Sequence, residues 1–349
     1  MDKHNSYIER LIEKYKNSRK IKFLTKKHSG KYAFVGIGNH SINNLYPVLD
    51  YLKVSLKYIV SKSETTAKTI SDNYEGVTGI NDINIALDDS EIKGIFISAN
   101  PASHYDLIKQ VLAKNKNVFV EKPPCFTLEE LEQLIKAETN SKGKVIVGMQ
   151  KRYAPLYRIM KVNVKSVSYY NYKYKVGSYP EGDAILDLFI HPLDIINYLF
   201  GKAKITSVQK IEKSKGIITY LLHLKHGNNT IGNVELSTDY WWAKAEEAFF
   251  INTDKTYLES INSDKLISID KPKNLMGIPL EKVMKPTITK RILFERNSFL
   301  PVQEYNQLVL SGYYDEIKTF LNICESNNVD NYSDLLSLRN TYELMNNLK

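Results

Sequence analysis

The sequence predicts an α/β fold, with an N-terminal parallel-sheet domain and a C-terminal α/β domain that has an open, mainly antiparallel sheet. Up to about residue 150, short apolar strands alternate with helical segments, as in βαβ units. Beyond that point, strand-like segments follow one another with one helix among them, which favours antiparallel pairing. We therefore divide the chain into an N-terminal helical extension (1–30), a parallel-sheet domain (31–150) and a second domain (151–349), whose last helices can pack back on the first.

Composition and charge limit the classes of protein and partner. The 349 residues are 43% hydrophobic, enough for two cores, and contain no apolar run of membrane-spanning length and no secretory signal. Two cysteines are too few for a disulfide framework, so we expect a cytoplasmic protein. The net charge of +9 favours an anionic ligand such as a dinucleotide, while the scattered basic residues accompany no nucleic-acid motif. We expect neither a nucleic acid nor a membrane as partner.

The residues before the first strand predict a short amphipathic helix. Ile8, Leu11, Ile12 and Tyr15 recur at helical spacing and precede a basic linker. We expect this helix to pack on the first domain or on a partner subunit. A membrane-surface role is the weaker alternative, because the apolar face is small.

A glycine-rich turn follows the first apolar strand and comprises Gly36, Gly38, Asn39, His40 and Ser41. Glycine lets the backbone bend tightly and approach a pyrophosphate, whose charge then lies at the N-terminus of the next helix. Such a pattern alone is equally typical of a plain tight turn, but here a strand precedes it and a helix follows. The context predicts a Rossmann dinucleotide-binding domain with these five residues at the cofactor and Ser41 in place of the third glycine.

The end of the second strand bears on the choice of cofactor. The strand covers about 54–60 and is followed by Ser61 and Lys62 instead of an acidic residue. An Asp or Glu there would bind the adenosine ribose and repel a 2′-phosphate, so a hydroxyl and a cation favour NADP. If Glu64 supplies the ribose contact and Lys62 is a surface lysine, the cofactor is NAD.

Two further strands end in residues suited to a nicotinamide site. Asn100 and Pro101 follow the fourth strand and precede a helix that contains His104, whereas the fifth strand ends at Glu121 and Lys122, before two prolines. The carboxyl ends of parallel strands form the ligand-binding edge of such a sheet, so we expect all five residues to border the cofactor. For His104, a local contact with the backbone is an equally good interpretation.

The chain crosses to the second domain after a capping box, Thr127 to Glu130, a helix, and a sixth strand. We expect Arg152 and Tyr153, which follow the crossing, to contact the substrate. The second domain is predicted to contain a long loop over 271–300 and two C-terminal helices, over 303–324 and 333–347. Its predicted strands cover 164–176, 203–213, 217–225, 230–239, 248–252, 256–259 and 266–269.

The helix predicted at 184–200 carries Asp187, His191 and Asp194 at i, i+4 and i+7, which places them on one face. Their apolar flanks predict partial burial, and buried ionisable groups usually mark a site or a satisfied network. A solvated face and a metal site are the alternatives. We expect no metal, because no further cluster of ligand residues is evident.

Three motifs in this order resemble the Gfo/Idh/MocA family, the group of glucose-fructose oxidoreductase and inositol dehydrogenase. They are Gly36-x-Gly38 after the first strand, Glu121-Lys122-Pro123 after the fifth, and Asp187-x-x-x-His191-x-x-Asp194 in the helix after the crossing. Together they cover about residues 31–201.

The resemblance implies an oxidoreductase that transfers a hydride between NADP, or NAD, and a hydroxyl or ketone of a sugar, sugar nucleotide or cyclitol. It implies that Lys122 donates a hydrogen bond to the reacting oxygen, that His191 is the acid or base, and that Asp187 binds substrate or orients His191. The chemistry agrees, since hydride removal from a carbinol leaves a proton that needs a base. Homodimers or homotetramers formed through the open face of the sheet are implied as well.

Departures from the family pattern leave alternatives open. Phe189 stands where the family usually has glycine, which predicts a narrowed pocket beside Asp187 and leaves open a regulator that holds the cofactor without turnover. A reductase of a cyclic imine or a linear tetrapyrrole is the other alternative on this scaffold. Trp241 and Trp242 could stack on a sugar, or pack in the sheet core or a subunit contact.

Overall fold

The computed structural model of the protein describes residues 2–24, 28–285, 287–300 and 302–348. The first sheet has six parallel strands in the order β3-β2-β1-β4-β5-β6. Its strands are β1 (Lys31–Val35), β2 (Ser55–Val60), β3 (Thr78–Ile80), β4 (Ile92–Ile97), β5 (Asn117–Glu121) and β6 (Val145–Gly148). This is the doubly wound Rossmann order, in which β1 and β4 are neighbours where the direction of winding reverses.

One helix precedes these strands and the other helices of the first domain connect them. They are α1 (Asp2–Leu24), α2 (Tyr46–Tyr51), α3 (Glu64–Ser71), α4 (Ile83–Asp88), α5 (His104–Ala113) and α6 (Leu128–Thr139). A π-helical turn, Ser41–Leu45, precedes α2. The predicted capping box is confirmed at α6: the Thr127 hydroxyl accepts from the Glu130 N–H at 3.1 Å, and the Glu130 carboxylate accepts from the Thr127 N–H at 3.2 Å.

The second sheet has eight strands in the order β16-β13-β12-β11-β7-β10-β9-β8, antiparallel except for the parallel pair β7 and β10. Its strands are β7 (Val167–Gly177), β8 (Ala203–Ser214), β9 (Ile217–His226), β10 (Ile231–Tyr240), β11 (Glu246–Thr253), β12 (Thr256–Ile261), β13 (Lys265–Asp270) and β16 (Lys290–Glu295). The prediction of a loop over 271–300 is wrong, because this stretch contains β16 and a small hairpin of β14 (Asn274–Leu275) and β15 (Ile278–Pro279).

The helices of the second domain cover one face of this sheet and reach back to the first domain. They are α7 (Pro155–Asn163), α8 (Ile190–Phe200), α9 (Gln307–Leu310), α10 (Tyr313–Cys324) and α11 (Arg339–Asn346), with a π-helical turn, Ile185–Phe189, directly before α8. The predicted helix over 303–324 is interrupted at Gly312. This residue has φ 96°, and a Cβ there would lie 1.9 Å from the Gln150 carbonyl oxygen, so only glycine fits this close approach.

The two faces of the second sheet differ in burial. On the inner face Tyr170 stacks on Phe200 of α8, with ring centroids 4.1 Å apart, and Tyr172 stacks on Phe249 at 3.9 Å. On the opposite face, apolar side chains including Tyr169 and Ile231 are exposed, at 43% and 41%. The sheet is therefore covered on one side and open on the other.

Helix α1 does not bury its predicted apolar positions. Ile8, Leu11, Ile12 and Tyr15 are between 47% and 63% exposed, so the expected packing on the first domain is absent from the described part of the chain. Within the same described ranges, no helix combines the length and the hydropathy needed to span a membrane.

Candidate active site

The glycine turn lies at the carboxyl edge of β1, next to β4. Gly36 has φ +90°, and a Cβ on it would lie 2.6 Å from the Ala99 Cα, so the turn is packed directly on the end of β4. Gly38 is different, because no atom lies within 4 Å of a Cβ built there. A close backbone turn with open space beside it, at the N-terminal end of the following helix, fits a diphosphate group.

Of the other residues of the turn, Ser41 is buried and supports the turn from inside, whereas Asn39 and His40 are exposed. Ser41 is buried, its hydroxyl accepts from the Gly38 N–H at 3.2 Å, and it lies 3.2 Å from the Ser98 hydroxyl. Ser41 thus fixes the turn to the end of β4, and its hydroxyl faces away from solvent. Asn39 and His40 are exposed beside the open space.

The end of β2 presents the residues that bear on the 2′-phosphate. The Ser61 N–H donates to the Ile80 carbonyl at 3.0 Å, which extends the sheet by one residue, and Lys62 is exposed. Ser63 caps α3 by accepting from the Thr66 N–H at 3.2 Å. Positions 61 and 62 thus carry a hydroxyl and a cation, and Glu64, the first carboxylate after β2, is exposed.

His104 joins two turns at the sheet edge. It is 1% exposed, and its ring nitrogens lie 2.9 Å from the Pro123 carbonyl oxygen and 3.0 Å from that of Ala99. His104 therefore makes the contacts with the backbone that its second interpretation expects. Asn100 likewise serves its own turn, since its side chain accepts from the Ala102 N–H at 3.0 Å while Pro101 opens the following 3₁₀ turn.

Lys122 reaches from the end of β5 to the helix of the second domain. Its Nζ donates to the backbone carbonyl of Asp187 at 2.6 Å. Burial lowers the pKa of Lys122, against the opposing charges of Glu121 and Asp187. Burial also lowers the pKa of His191 well below its usual range, and the charges of Lys122, Lys151 and His40 add to the effect. The charge of Lys122 thus acts on His191.

The π-helical turn changes the predicted arrangement of the three polar residues around His191. The Asp187 carboxylate accepts from the Asp183 N–H at 3.1 Å and from the Tyr179 hydroxyl at 3.2 Å, so it is held at the beginning of the helix. Asp194 is instead buried in an ion pair with Arg152. The helix therefore does not assemble Asp187, His191 and Asp194 into one cluster.

Arg152 and Tyr153 do not contact the cleft that their positions predict. The Arg152 guanidinium makes two bonds to Asp194, at 2.8 and 2.5 Å, and is 3% exposed. The Tyr153 hydroxyl lies 3.0 Å from that of Ser333, and Tyr153 is 1% exposed. The 3₁₀ turn Gln150–Arg152 directs these side chains into the interior, where they bind the C-terminal segment.

Lys151, one residue earlier, is the cation that the crossing presents to the site. Its Nζ lies 2.7 Å from both carboxylate oxygens of Glu247, and 5.3 Å from the centre of the Tyr174 ring. Sequence reasoning missed both residues. For Glu247 a signal existed, because it precedes Phe249 and Ile251 on the buried parity of a strand, where a carboxylate needs a partner.

Glu121 and Glu316 are two further carboxylates that are buried in the protein. The Glu121 Oε1 lies 3.1 Å from the His40 Nε2, although the angle does not make a good hydrogen bond. Burial alone would lower the pKa of His40, but the contact with Glu121 raises it overall. Glu316, on α10, is fully buried, and neither of its carboxylate oxygens has a hydrogen-bond partner among the described residues. Burial first, and then the charge of Glu121, raise the pKa of Glu316 well above its usual range.

The aromatic departures from the family pattern have distinct positions. Phe189 is fully buried against Tyr174 and Tyr220, with ring centroids 6.3 and 6.1 Å apart. Its ring is therefore directed into the core beside the second sheet. Trp241 and Trp242 are 68% and 53% exposed, and so do not pack in the sheet core.

The described residues hold no cluster of three or more His, Cys, Asp or Glu side chains that could bind a metal ion. The candidate site combines cations, the imidazoles of His40 and His191 and a glycine turn, and the cations and the turn suit a phosphate-bearing organic cofactor.

Comparison with known proteins supports this architecture. Residues 30–149 match the model of the Gfo/Idh/MocA group, described as an oxidoreductase family with an NAD-binding Rossmann fold. An inositol 2-dehydrogenase of Salmonella typhimurium is 26% identical over 151 residues, which are 40% of this chain and 45% of that protein. The scyllo-inositol 2-dehydrogenase (NAD(+)) of Bacillus subtilis is 27% identical over 172 residues, 43% of this chain and 50% of that protein. The match thus spans about half the length of these relatives.

Solved structures extend the similarity of fold to both domains. A dehydrogenase from Chromobacterium violaceum superposes with a TM-score of 0.76 at 19% identity and covers 91% of this chain and 93% of its own. A 3-ketoreductase from Actinomadura kijaniata, crystallised with NADP, gives a TM-score of 0.69 at 11% identity over 91% of this chain and 96% of its own. The first domain, over residues 30–149, is thus similar to the Gfo/Idh/MocA oxidoreductases, and the solved structures share the fold of both domains.

Proposed function

We propose that this protein is an NAD(P)-dependent oxidoreductase that interconverts a hydroxyl group and a ketone on a sugar or cyclitol. One observation carries the proposal: Lys122, at the carboxyl end of β5, donates to the backbone carbonyl of Asp187, four residues before His191, at the sheet edge that also holds a glycine turn suited to a diphosphate. The bound nicotinamide would supply or accept the hydride. The protein residues handle the oxygen and its proton.

His191 is the proposed acid–base group. Its lowered pKa keeps the imidazole neutral at neutral pH, so it can accept the proton of a substrate hydroxyl during oxidation. The ring makes no hydrogen bond with another described group, which leaves its nitrogens free for substrate. In the reverse direction the protonated imidazole returns the proton to the carbonyl oxygen.

Lys122 is the proposed electrostatic group. One of its N–H bonds is held by the Asp187 carbonyl, which aims the ammonium and leaves two donors for the reacting oxygen. An ammonium in a partly buried site stabilises a developing alkoxide better than one in water. Asp187 is then a positioning residue through its backbone, and its carboxylate orders the segment around Tyr179 that borders the substrate.

We propose NADP as the preferred cofactor, because Ser61 and Lys62 offer a hydroxyl and a cation at the end of β2 where an acid would exclude a 2′-phosphate. Gly36, Gly38, Asn39 and His40 would border the diphosphate. The test is the relative affinity for NADPH and NADH. A clear preference for NADH that Lys62→Ala leaves unchanged would refute this choice.

The proposed activity is tested by a screen of polyols and ketoses with either cofactor, followed by Lys122→Met and His191→Asn. Each substitution should lower kcat by about 10²–10⁴-fold while cofactor affinity changes little. Cofactor binding without turnover of any compound would instead favour the regulator. The burial of the Phe189 ring against the sheet supports the enzyme over the regulator.

A further inference from the structure

A cavity of about 310 Å³ lies between the crossing turn, the β12–β13 hairpin and α9. The residues that line it include Lys151, Tyr157, Ser263, Arg296, Gln307 and Tyr313. It is bounded by both domains, since Asn44, just before α2, also lines it. None of the residues that sequence patterns assign to cofactor or substrate lies on its wall.

The cavity adjoins the proposed reaction centre through two of its residues. Lys151 lines the cavity, and it is also one of the charges that act on His191. Tyr313 lines the cavity and lies against His40, with ring centroids 5.7 Å apart and an edge-to-face geometry. The Lys151 Nζ also lies 5.3 Å from the centre of the Tyr174 ring, which packs edge-to-face on Phe189, so a ligand in the cavity would lie beside the segment that leads into His191.

One side of the cavity is held together by the buried carboxylate of Glu247. Besides the two contacts with Lys151, this carboxylate accepts from the Tyr172 hydroxyl at 2.6 Å and the Ser263 hydroxyl at 3.3 Å. The Tyr157 and Ser263 hydroxyls are 2.9 Å apart. The result is a fixed array of ammonium and hydroxyl groups, the kind of surface that exchanges hydrogen bonds with a polyol.

The charges around the cavity are already balanced. Lys151 is paired with Glu247, and Arg296 is paired with Asp264 at 3.3 Å. Within the residues that the structure describes, each cation that lines the cavity thus has a carboxylate partner. A phosphate or carboxylate placed here would have to compete with these partners, whereas a neutral hydroxylated ligand would not.

We propose that this cavity binds the part of the substrate remote from the reacting carbon, and that it takes an uncharged, polyhydroxylated ring in preference to a phosphorylated, carboxylated or nucleotide-linked one. The proposal rests on the proposed oxidoreductase function and narrows its substrate class. The volume agrees, because about 310 Å³ is at the small end of ligand pockets and suits a single ring.

The first test blocks the cavity without altering the reaction centre. Gln307→Phe places a bulky ring at the exposed start of α9, on the cavity wall; Val309→Phe, in the same helix but not on that wall, is the matched control. Kinetics are measured with inositol, glucose, the monophosphate of each, and glucuronate. We expect Gln307→Phe to raise KM for the uncharged compounds at least about tenfold with kcat and cofactor affinity nearly unchanged, and Val309→Phe to change neither.

The second test alters the charge balance. Glu247→Gln leaves Lys151 as an unpaired cation, so the phosphorylated and carboxylated compounds should gain affinity, relative to the uncharged ones, by about tenfold or more. Glu246→Gln is the control, because Glu246 is a neighbour in β11 that pairs with Lys175 at 3.2 Å and does not line the cavity. Thermal unfolding checks that each variant is folded. Gln307→Phe does not depend on the Glu247 network and still decides the matter if Glu247→Gln fails to fold.

Binding is measured separately from turnover, by calorimetry with the cofactor-loaded Lys122→Met protein. The cavity proposal would be overturned if the Lys122→Met protein, with no further substitution, bound the phosphates or glucuronate more tightly than the uncharged compounds, or if it bound none of these compounds. A substrate that is turned over with a KM insensitive to Gln307→Phe would overturn it as well. Binding of an uncharged ring that Gln307→Phe abolishes, with no turnover by the unsubstituted protein, would support the cavity and refute the oxidoreductase.

Discussion

A neutral imidazole next to a buried ammonium is what the removal of a hydroxyl proton requires. Burial lowers the pKa of His191, and the charges of Lys122, Lys151 and His40 lower it further, because each of them disfavours the protonated imidazole. Burial likewise lowers the pKa of Lys122. Burial and the neighbouring cations thus favour the unprotonated form of His191, the form that the proposed role as a base needs.

The pH dependence of oxidation follows from these shifts. Because the pKa of His191 is lowered, its base form persists to lower pH, so the acid limb of kcat/KM should lie below about 6.5, the usual histidine value. Lys151→Met removes one of the cations and should move this limb to higher pH. Lys202→Met, a surface lysine paired with Glu343, is the control and should leave it in place. An acid limb at or above the usual value in the unsubstituted protein would contradict the argument.

For Glu316 we predict an effect on stability and not on activity. Its pKa in the folded protein is raised above the unfolded value, so the folded state binds the proton more tightly. The resulting stability is present below about pH 4.5 and is lost as the pH rises through the folded pKa, by up to about 1.4 kcal/mol per pH unit. Glu316→Gln cannot ionise, so its advantage in free energy of unfolding over the parent should grow between pH 5 and pH 8.

Chemical denaturation at several pH values measures this difference. Asp315→Asn, at the adjacent and partly exposed position of α10, is the control and should show no growing advantage. A free energy of unfolding for Glu316→Gln that runs parallel to that of the parent would mean that the buried carboxyl has a compensating partner.

Individual side chains were predicted from sequence only where a backbone element fixes their direction. Lys122 follows a buried strand and is stopped by prolines, so its location at the sheet edge could be inferred. Arg152 and Lys151 occupy a single 3₁₀ turn, and their directions depend on hydrogen bonds to Asp194 and Glu247 that are distant in sequence. No local pattern distinguishes the inward residue from the one that faces the cleft.

At the scale of elements, the glycine turn allows a matched pair of substitutions. Gly36→Ala forces a Cβ to within 2.6 Å of the Ala99 backbone at a positive φ, so it should destabilise the protein by about 1–3 kcal/mol or more. Gly38→Ala meets no atom within 4 Å and has no positive φ, so the fold should tolerate it. The added methyl nevertheless occupies the space expected for the diphosphate.

Thermal unfolding and cofactor titration separate the two effects. Gly38→Ala should bind NADPH at least about tenfold more weakly with an unchanged melting temperature, because the backbone can no longer approach the pyrophosphate. Unchanged affinity in a folded Gly38→Ala protein would place the cofactor elsewhere.

Regular βαβ units were predictable from periodicity, whereas helix α7 and strand β16 of the second domain were not. Helix α7 is short and buries Leu156, Tyr157 and Met160, and it follows the crossing so closely that its pattern merges with the strand after it. Strand β16 lies at the sheet edge, with most of its residues exposed, so the alternation of buried and exposed positions that identifies a strand is weak. In both cases tertiary contacts, and not local sequence, define the element.

At the scale of the whole molecule, the C-terminus returns to the first domain. Phe320 and Cys324 of α10 pack on Gly94 of β4, where a Cβ would lie 2.7 Å from either side chain. The Tyr342 hydroxyl of α11 donates to the Cys125 carbonyl at 2.7 Å. The segments that follow the second sheet thus hold both domains around the cleft. The sequence alone predicts only that the last helices can pack back on the first domain.

The open face of the second sheet leads to a prediction about assembly. Tyr169, Leu221 and Ile231 lie on this face and are 43%, 39% and 41% exposed, in a sheet whose other face is covered by helices. Exposed apolar side chains on a sheet face are typical of a subunit interface, and the family resemblance implies one here.

We expect the protein to be a dimer or larger in sedimentation equilibrium, and Ile231→Glu to shift it to the mass of one chain. Ile85→Glu, at a similarly exposed position of α4, should not, because it lies in the other domain. An Ile231→Glu protein that keeps the mass of the parent would exclude this face as the interface, and a parent of single-chain mass would leave the face without a partner copy.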